Sequence, residues 1–252
     1  VANLVVSPKG THLAFSVDVF VDCADLACSA SRLKEKESDK ASGMAFDRLF
    51  IRHWDTWEDG RRQHLFVMPL DGGQAVDVTK GMDADVPSLP FGGAEEITFT
   101  PDGKEMVFGA GIAGATEAWS TNFDLYAAPV DGSAVPRNLT ADNPAWDTHP
   151  VFTPDGKTLV YLAMSHPGYE ADRYRVMVRA WPNGAARELT PSWDRSPGEL
   201  IASADGKTLF ATAQDLGRTS LFAIDLATGG VRRLLAAGTV RSVAQSGDRL
   251  VF

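Results

Sequence analysis

Cysteine, histidine and long apolar runs are all scarce in this chain, and each shortage narrows what it can be. Two cysteines in 252 residues, Cys23 and Cys28 in "CADLAC", are too few for a structural zinc site. They form either a local disulfide of an oxidising compartment or two free thiols. Five histidines, His12, His53, His64, His149 and His166, are scattered without the spacing of a metal-ligand pair, so no metal and no cofactor is expected. No apolar stretch approaches the ~18 residues that span a bilayer, and "VANLVVSPKG" lacks the basic-then-apolar order of a leader, so no membrane partner is expected. Neither a G-x-S-x-G elbow nor a glycine-rich phosphate loop occurs, so the segment holds no complete catalytic apparatus. Basic residues are outnumbered as well: 24 Lys and Arg against 33 Asp and Glu give a formal charge of −9. That balance argues against a nucleic-acid partner and mildly favours a cationic ligand.

Turn punctuation, by contrast, is plentiful and it repeats. "SPKGTHLAF" (7–15), "TPDGKEMVF" (100–108), "TPDGKTLVY" (153–161) and "SADGKTLFA" (203–211) share one pattern, and "SGDRLVF" adds a fifth glycine in register. In the full T-P-D-G form, Pro presets the backbone angle of the second turn position, Asp tolerates the third, and Gly accepts a positive φ at the fourth. A second motif follows each of the first four copies: "HLFVMPLDGGQAVDVT", "DLYAAPVDGSAVPRNLT", "YRVMVRAWPNGAARELT" and "SLFAIDLATGGVRRLL". Two alternating hairpins make a four-stranded antiparallel unit. Such units at intervals of roughly 40–50 residues predict an all-β fold, a β-propeller of four-stranded blades. Blade units are expected at about 1–80, 95–140, 147–190, 198–235 and, as the start of a further blade, 241–252. Four and a half blades would leave an open sheet edge, so more blades are expected beyond residue 252.

In each unit the "PDG" and "DG" turns fall on one face, and the other receives the second-to-third strand connections and the links between blades. Irregular sequence collects there, including an insertion between Phe15 and His64 with the charge run "RLKEKESDK" (32–40). Glu95 and Glu96 in "GGAEEI" are the candidate substrate-binding residues, because paired carboxylates at a blade entry can hold an ammonium group. Neighbours on a strand point to opposite sides, so only one of the two should face the channel. The same face should carry Trp146, Asp147 and His149, then His166, Glu170 and Arg173, then Trp193, Asp194 and Arg195. The Trp-Asp pairs suit a structural role, with the ring packed between blades and the acid capping a turn. The rings of "HWDTW" (53–57) are expected to anchor the insertion to the core.

"RHWDTWEDGRRQHLFV" (52–67), "YLAMSHPGYEADRYRVMVRAWPNG" (161–184) and "SWDRSPGELIASADGKTLFATAQDLGRTSLFAIDLATG" (192–229) resemble the propeller of bacterial prolyl oligopeptidase-type serine peptidases of the dipeptidyl peptidase 5 and acylaminoacyl-peptidase-like kinds. The resemblance implies an α/β-hydrolase domain beyond residue 252 with Ser, His and Asp, none of which lies in this segment. It implies a propeller that gates the site, excludes folded proteins and helps anchor the free amino terminus of an oligopeptide substrate. It also implies a periplasmic or secreted location, and leaves a homodimer open. Dipeptidyl peptidase IV-like relatives hold the substrate ammonium with two glutamates on a helical insertion, whereas Glu95-Glu96 stands directly before a "TPDG" hairpin. A non-catalytic, TolB-like partner-binding propeller uses nearly the same turn punctuation and is the alternative. A channel-centred lyase or glycosidase ranks third, since only Glu95, Glu96 and Asp147 are well placed for it.

Overall fold

Each repeated turn folds the same way, which is why the chain rewrites it. Gly10, Gly103, Gly156 and Gly206 adopt φ of 65°, 76°, 70° and 67°. Their amides donate to the carbonyls of Ser7, Thr100, Thr153 and Ser203 at 2.8–2.9 Å. In the three copies with Asp, that carboxylate accepts the hydroxyl of Thr100, Thr153 or Ser203 at 2.6–2.7 Å and the amide of the following lysine. These bonds hold the Asp102, Asp155 and Asp205 carboxyls below their usual pKa.

The computed structural model describes residues 1–46, 49, 51–235, 237–247 and 249–252. The first blade contains β1 (Ala2–Val6) and β2 (His12–Val19), and the insertion that follows carries α1 (Leu26–Ser38), β3 (Arg52–His53) and β4 (Thr56–Trp57). The blade resumes with β5 (Arg62–Pro69) and β6 (Val76–Asp77). The second blade holds β7 (Ile97–Phe99), β8 (Glu105–Ala110), β9 (Asp124–Pro129) and β10 (Arg137–Asn138), and the third β11 (Asp147–Phe152), β12 (Thr158–Ala163), β13 (Arg175–Ala180) and β14 (Ala186–Glu188). The fourth comprises β15 (Pro197–Ala202), β16 (Thr208–Asp215), β17 (Arg218–Asp225) and β18 (Val231–Arg233), and a hairpin of β19 (Ala244–Ser246) and β20 (Arg249–Val251) follows. Every ladder is antiparallel, and strands within each blade neighbour one another in chain order. The fold is the expected β-propeller arrangement of four-stranded blades.

Alternation along the strands builds the cores between blades. In β8, Met106 and Phe108 pack toward Leu65 and Val67 of the first blade, while Val107 packs toward Leu159 and Tyr161 of the third. Phe108, with no exposed surface, contributes about 2–3 kcal/mol by burial. In the first two blades the threonine that ends the second motif closes a contact back to the third strand. Thr79 and Thr140 Oγ1 accept the amides of Leu65 and Leu125 at 3.0 and 2.9 Å, clasping the fourth strand to the start of the third.

Blades also meet through glycine. A Cβ on Gly229, at φ 73°, would stand 1.9 Å from the carbonyl oxygen of Leu189, in the link between the third and fourth blades. Gly229→Ala is therefore expected to destabilise the propeller by about 2 kcal/mol or more, combining left-handed strain with a backbone clash. Urea unfolding monitored by tryptophan fluorescence checks this, and an unchanged midpoint would show that the turn moves freely.

Two expectations need correcting. The charge run 32–40 lies largely in α1, capped by Asp25, whose side chain accepts the Cys28 amide at 2.8 Å. Leu, Ala, Lys, Glu and Arg favour a helix once nucleated, and charge spacing alone conceals this. Trp54 and Trp57 do not anchor the insertion in the core, being 68% and 51% exposed. Trp193 does pack between blades, 5.2 Å from the Phe222 ring, whereas Asp194 is exposed and pairs with Arg195.

Candidate functional site: an aromatic, acidic cleft on the loop face

The insertion is fixed before it contributes to any site. Cys23 and Cys28 form a disulfide at the start of α1, and Ser29 Oγ accepts the Phe20 amide at 3.1 Å. Arg32 lies 4.8 Å from the Phe20 ring and forks onto Asp22 at 2.6 and 3.0 Å. Lys36 donates to the Asp59 carbonyl, joining the far end of the helix to the returning chain. The β3–β4 hairpin then presents Trp54 beside His53 and Phe91, with ring centroids 4.8 and 5.7 Å away.

Arg62 opens β5 and gathers three acids from two segments. Its Nε donates to Asp83 at 2.9 Å, Nη1 to Asp85 at 3.1 Å, and Nη1 and Nη2 to the two Glu117 oxygens at 2.6 and 2.7 Å. Arg62 as a residue is 8% exposed. Burial alone would lower its pKa, but Glu117, Asp83 and Asp85 outweigh this and raise it. Burial pushes the Asp85 carboxyl up against the Gln63 amide and Arg62. It raises Glu58 too, reinforced by the charges of Asp85 and Glu117.

Above this cluster opens a cleft of about 600 Å³, within the usual range for ligand sites. Its walls come from the insertion (His53, Trp54, Glu58), the link between the first two blades (Asp85, Phe91), and the β8–β9 loop (Glu117, Trp119, Phe123), with Trp146 and Glu170 completing the lining. Phe123 and Trp146 pack at 4.6 Å. A second cavity of about 440 Å³ beneath α1 shares Glu58 and Glu117 with it.

Glu95 and Glu96 lie in a 3₁₀ turn, Ala94–Glu96, rather than in a strand. Glu96 is 2% exposed. Its Oε2 accepts the Ser88 amide at 2.8 Å and its Oε1 the Thr148 hydroxyl at 3.0 Å, linking the first interblade connection to β11. Burial raises its pKa against these bonds. Glu95 is exposed and counters the lowering of the His149 pKa by burial. His149 takes φ 53° where β11 shifts register against β12.

The remaining candidates divide between scaffold and cleft. Asp172 accepts the amides of Ser165 and His166 at 2.7 and 2.9 Å, tying the loop that contains "GYEADR". Arg173 donates to the Trp193 carbonyl at 2.9 Å and to Glu188 at 3.2 Å. Only Trp146 and Glu170 of the face residues named from sequence line the cleft. Sequence reasoning missed Arg62, Asp85, Glu117 and Trp119 because they are distant in sequence; the sole local hint is "DAD" (83–85) in a blade link. Among the described residues no group of three or more His, Cys, Asp or Glu is placed to hold a metal ion.

Comparison with known proteins agrees with the peptidase resemblance. No family model matches the chain. It is 28% identical over 200 residues to dipeptidyl-peptidase 5 of Porphyromonas gingivalis, covering 78% of this chain and 29% of that protein. It is 31% identical over 241 residues to dipeptidyl-peptidase 5 of Trichophyton equinum, covering 83% and 33%. The chain thus spans about a third of these relatives. In fold it resembles the acylaminoacyl peptidase of Pyrococcus horikoshii, with TM-score 0.65 and 11% identity, covering 98% of this chain and 34% of that one. It also resembles TolB from Acinetobacter baumannii, with TM-score 0.55 and 17% identity, covering 95% and 44%. The chain is a propeller segment similar to that of prolyl oligopeptidase-type peptidases. Within that type its similarity is to proteins named dipeptidyl-peptidase 5.

Proposed function

We propose that the chain is the substrate-handling propeller of a serine exopeptidase that releases dipeptides from peptides with free amino termini. The similarity to dipeptidyl-peptidase 5 proteins carries this reading. The site supports it: an acidic, ring-walled cleft lies on the loop face, and the exposed carboxylate of Glu95 is available to an ammonium group. Glu96 serves alongside it by fixing the turn that presents Glu95. In this reading the catalytic Ser, His and Asp belong to an α/β-hydrolase domain of the same polypeptide, and the propeller gates access to them. The Cys23–Cys28 disulfide supports a periplasmic or secreted location.

The test is to treat the full-length protein with a fluorophosphonate that labels activated serines and to locate the modified peptide by mass spectrometry. Labelling outside residues 1–252, together with dipeptide release from unblocked but not acetylated peptides, is the expected result. Absence of labelling would favour a partner-binding propeller, the reading to which the TolB likeness lends its fold.

A further inference from the structure

The cleft has more aromatic surface and more negative charge than a purely structural crevice needs. Trp54, Phe91 and Trp119 are 68%, 56% and 64% exposed, yet all three line it. Among the described residues Glu58, Asp85 and Glu117 meet one buried cation, Arg62, which already bonds Asp83, Asp85 and Glu117. Glu58 forms no side-chain hydrogen bond or ion pair among the described residues. Arg52 at the rim is engaged elsewhere, lying 5.8 Å from the Trp57 ring and donating to the Trp54 carbonyl. Rings that face solvent beside an unpaired carboxylate select a cation on an apolar stem, because the stem covers the rings and the charge meets both the π faces and the acid. An anionic group would meet repulsion from every carboxylate in the wall.

We infer that the cleft receives a basic side chain, lysine or arginine, carried by the first residue of a peptide. This rests on the peptide-substrate reading above. Position supports it: Phe123 in the cleft wall accepts the Asp147 amide at 2.7 Å, and the neighbouring Thr148 donates to Glu96 at 3.0 Å. The Phe123–Trp146 part of the cleft is therefore bonded through β11 to the turn bearing Glu95. An α-ammonium at Glu95 can send its side chain from there along the rings toward Glu58.

The experiment uses the full-length protein and peptides that differ only in their first residue: lysine, its uncharged near-isostere norleucine, and glycine. Lysine is expected to exceed norleucine at least tenfold in kcat/KM, with that ratio falling at least fivefold in Glu58→Gln. Trp119→Ala, at an exposed position that leaves the core intact, is expected to lower the norleucine-to-glycine ratio severalfold. Equal rates for lysine and norleucine, or variants that slow all three peptides in proportion, would overturn the inference while leaving dipeptide release standing. Tryptophan fluorescence titrated with lysinamide and norleucinamide decides the matter without catalysis. Tenfold tighter lysinamide binding, lost in Glu58→Gln, in a protein that releases no dipeptide would keep the cation site and reject the exopeptidase. Equal binding of the two amides would reject the cation site.

Discussion

Arg62→Met is expected to destabilise the propeller by about 3 kcal/mol, near the lower end for removing one partner of a buried ion cluster. The variant withdraws a cation bonded to Asp83, Asp85 and Glu117 and leaves the charges of Asp85 and Glu117 facing one another. Solvent moderates the penalty, since the Asp83 and Glu117 side chains are 41% and 26% exposed while Asp85 is only 14% exposed. The loss has an electrostatic signature that a packing defect lacks. Burial already holds the Asp85 carboxyl above its usual pKa, and without the guanidinium it rises further. A carboxyl raised in this way contributes stability that is greatest at low pH and is lost as pH increases through the raised value, so the difference from wild type should shrink between pH 7 and pH 4. Urea unfolding at both pH values measures this, and a penalty constant with pH would assign Arg62 a packing role. Arg62→Lys should fall between the two, because an ammonium keeps the charge but cannot fork onto Glu117 while reaching Asp83 and Asp85.

Much of this architecture is written locally, and the cleft is not. A tight turn is decided by four adjacent residues, so "TPDG" at 100–103 and 153–156 could be read directly, and the bonds from Asp102 and Asp155 follow. The threonine ending the second motif was legible as punctuation, although its reason, the amides of Leu65 and Leu125, is a contact fourteen or fifteen residues away. Glu95 and Glu96 stand out as a pair in the sequence, but strand alternation does not describe them, because a 3₁₀ turn forms there. The turn still sends one carboxylate inward and leaves the other exposed. The Arg62 cluster joins residues 21 to 55 positions apart across an insertion, a blade link and a strand loop. Nothing local marks Glu117 as the partner of Arg62, and composition registers only an acid excess. Exposed Trp54 and Trp119 were equally hidden, because an indole reads as core until the surrounding loops are placed.

Asp147→Asn is expected to stabilise the protein at neutral pH, the reverse of the usual effect of a buried substitution. Asp147 is 1% exposed at the start of β11. Its Oδ1 accepts from Asn143 at 3.0 Å, and its Oδ2 has no hydrogen-bond partner among the described residues. Burial pushes the carboxyl up to about 8. Asn143, Thr140 and Arg175 favour the charged form and Asp124 opposes it, while burial first and the Asp147 charge second raise the Tyr161 phenol. A folded-state pKa above the unfolded value gives stability that is full below the unfolded value and declines as pH rises to the folded one. Between about pH 4 and 8 the wild type should lose up to ~1.4 kcal/mol per pH unit from this group. Asparagine has no proton to lose, so the slope disappears and the variant should be more stable at pH 7 by about 2–4 kcal/mol, relaxation around the charge trimming the upper figure. Denaturation at pH 5 and pH 7.5 separates the outcomes, and parallel profiles would show that Asp147 is ionised in the folded protein. The site makes the cost intelligible: the Asp147 amide donates to the Phe123 carbonyl at 2.7 Å, and Phe123 packs on Trp146 in the cleft wall. Ionising Asp147 therefore charges a buried residue whose own backbone is bonded to the cleft wall.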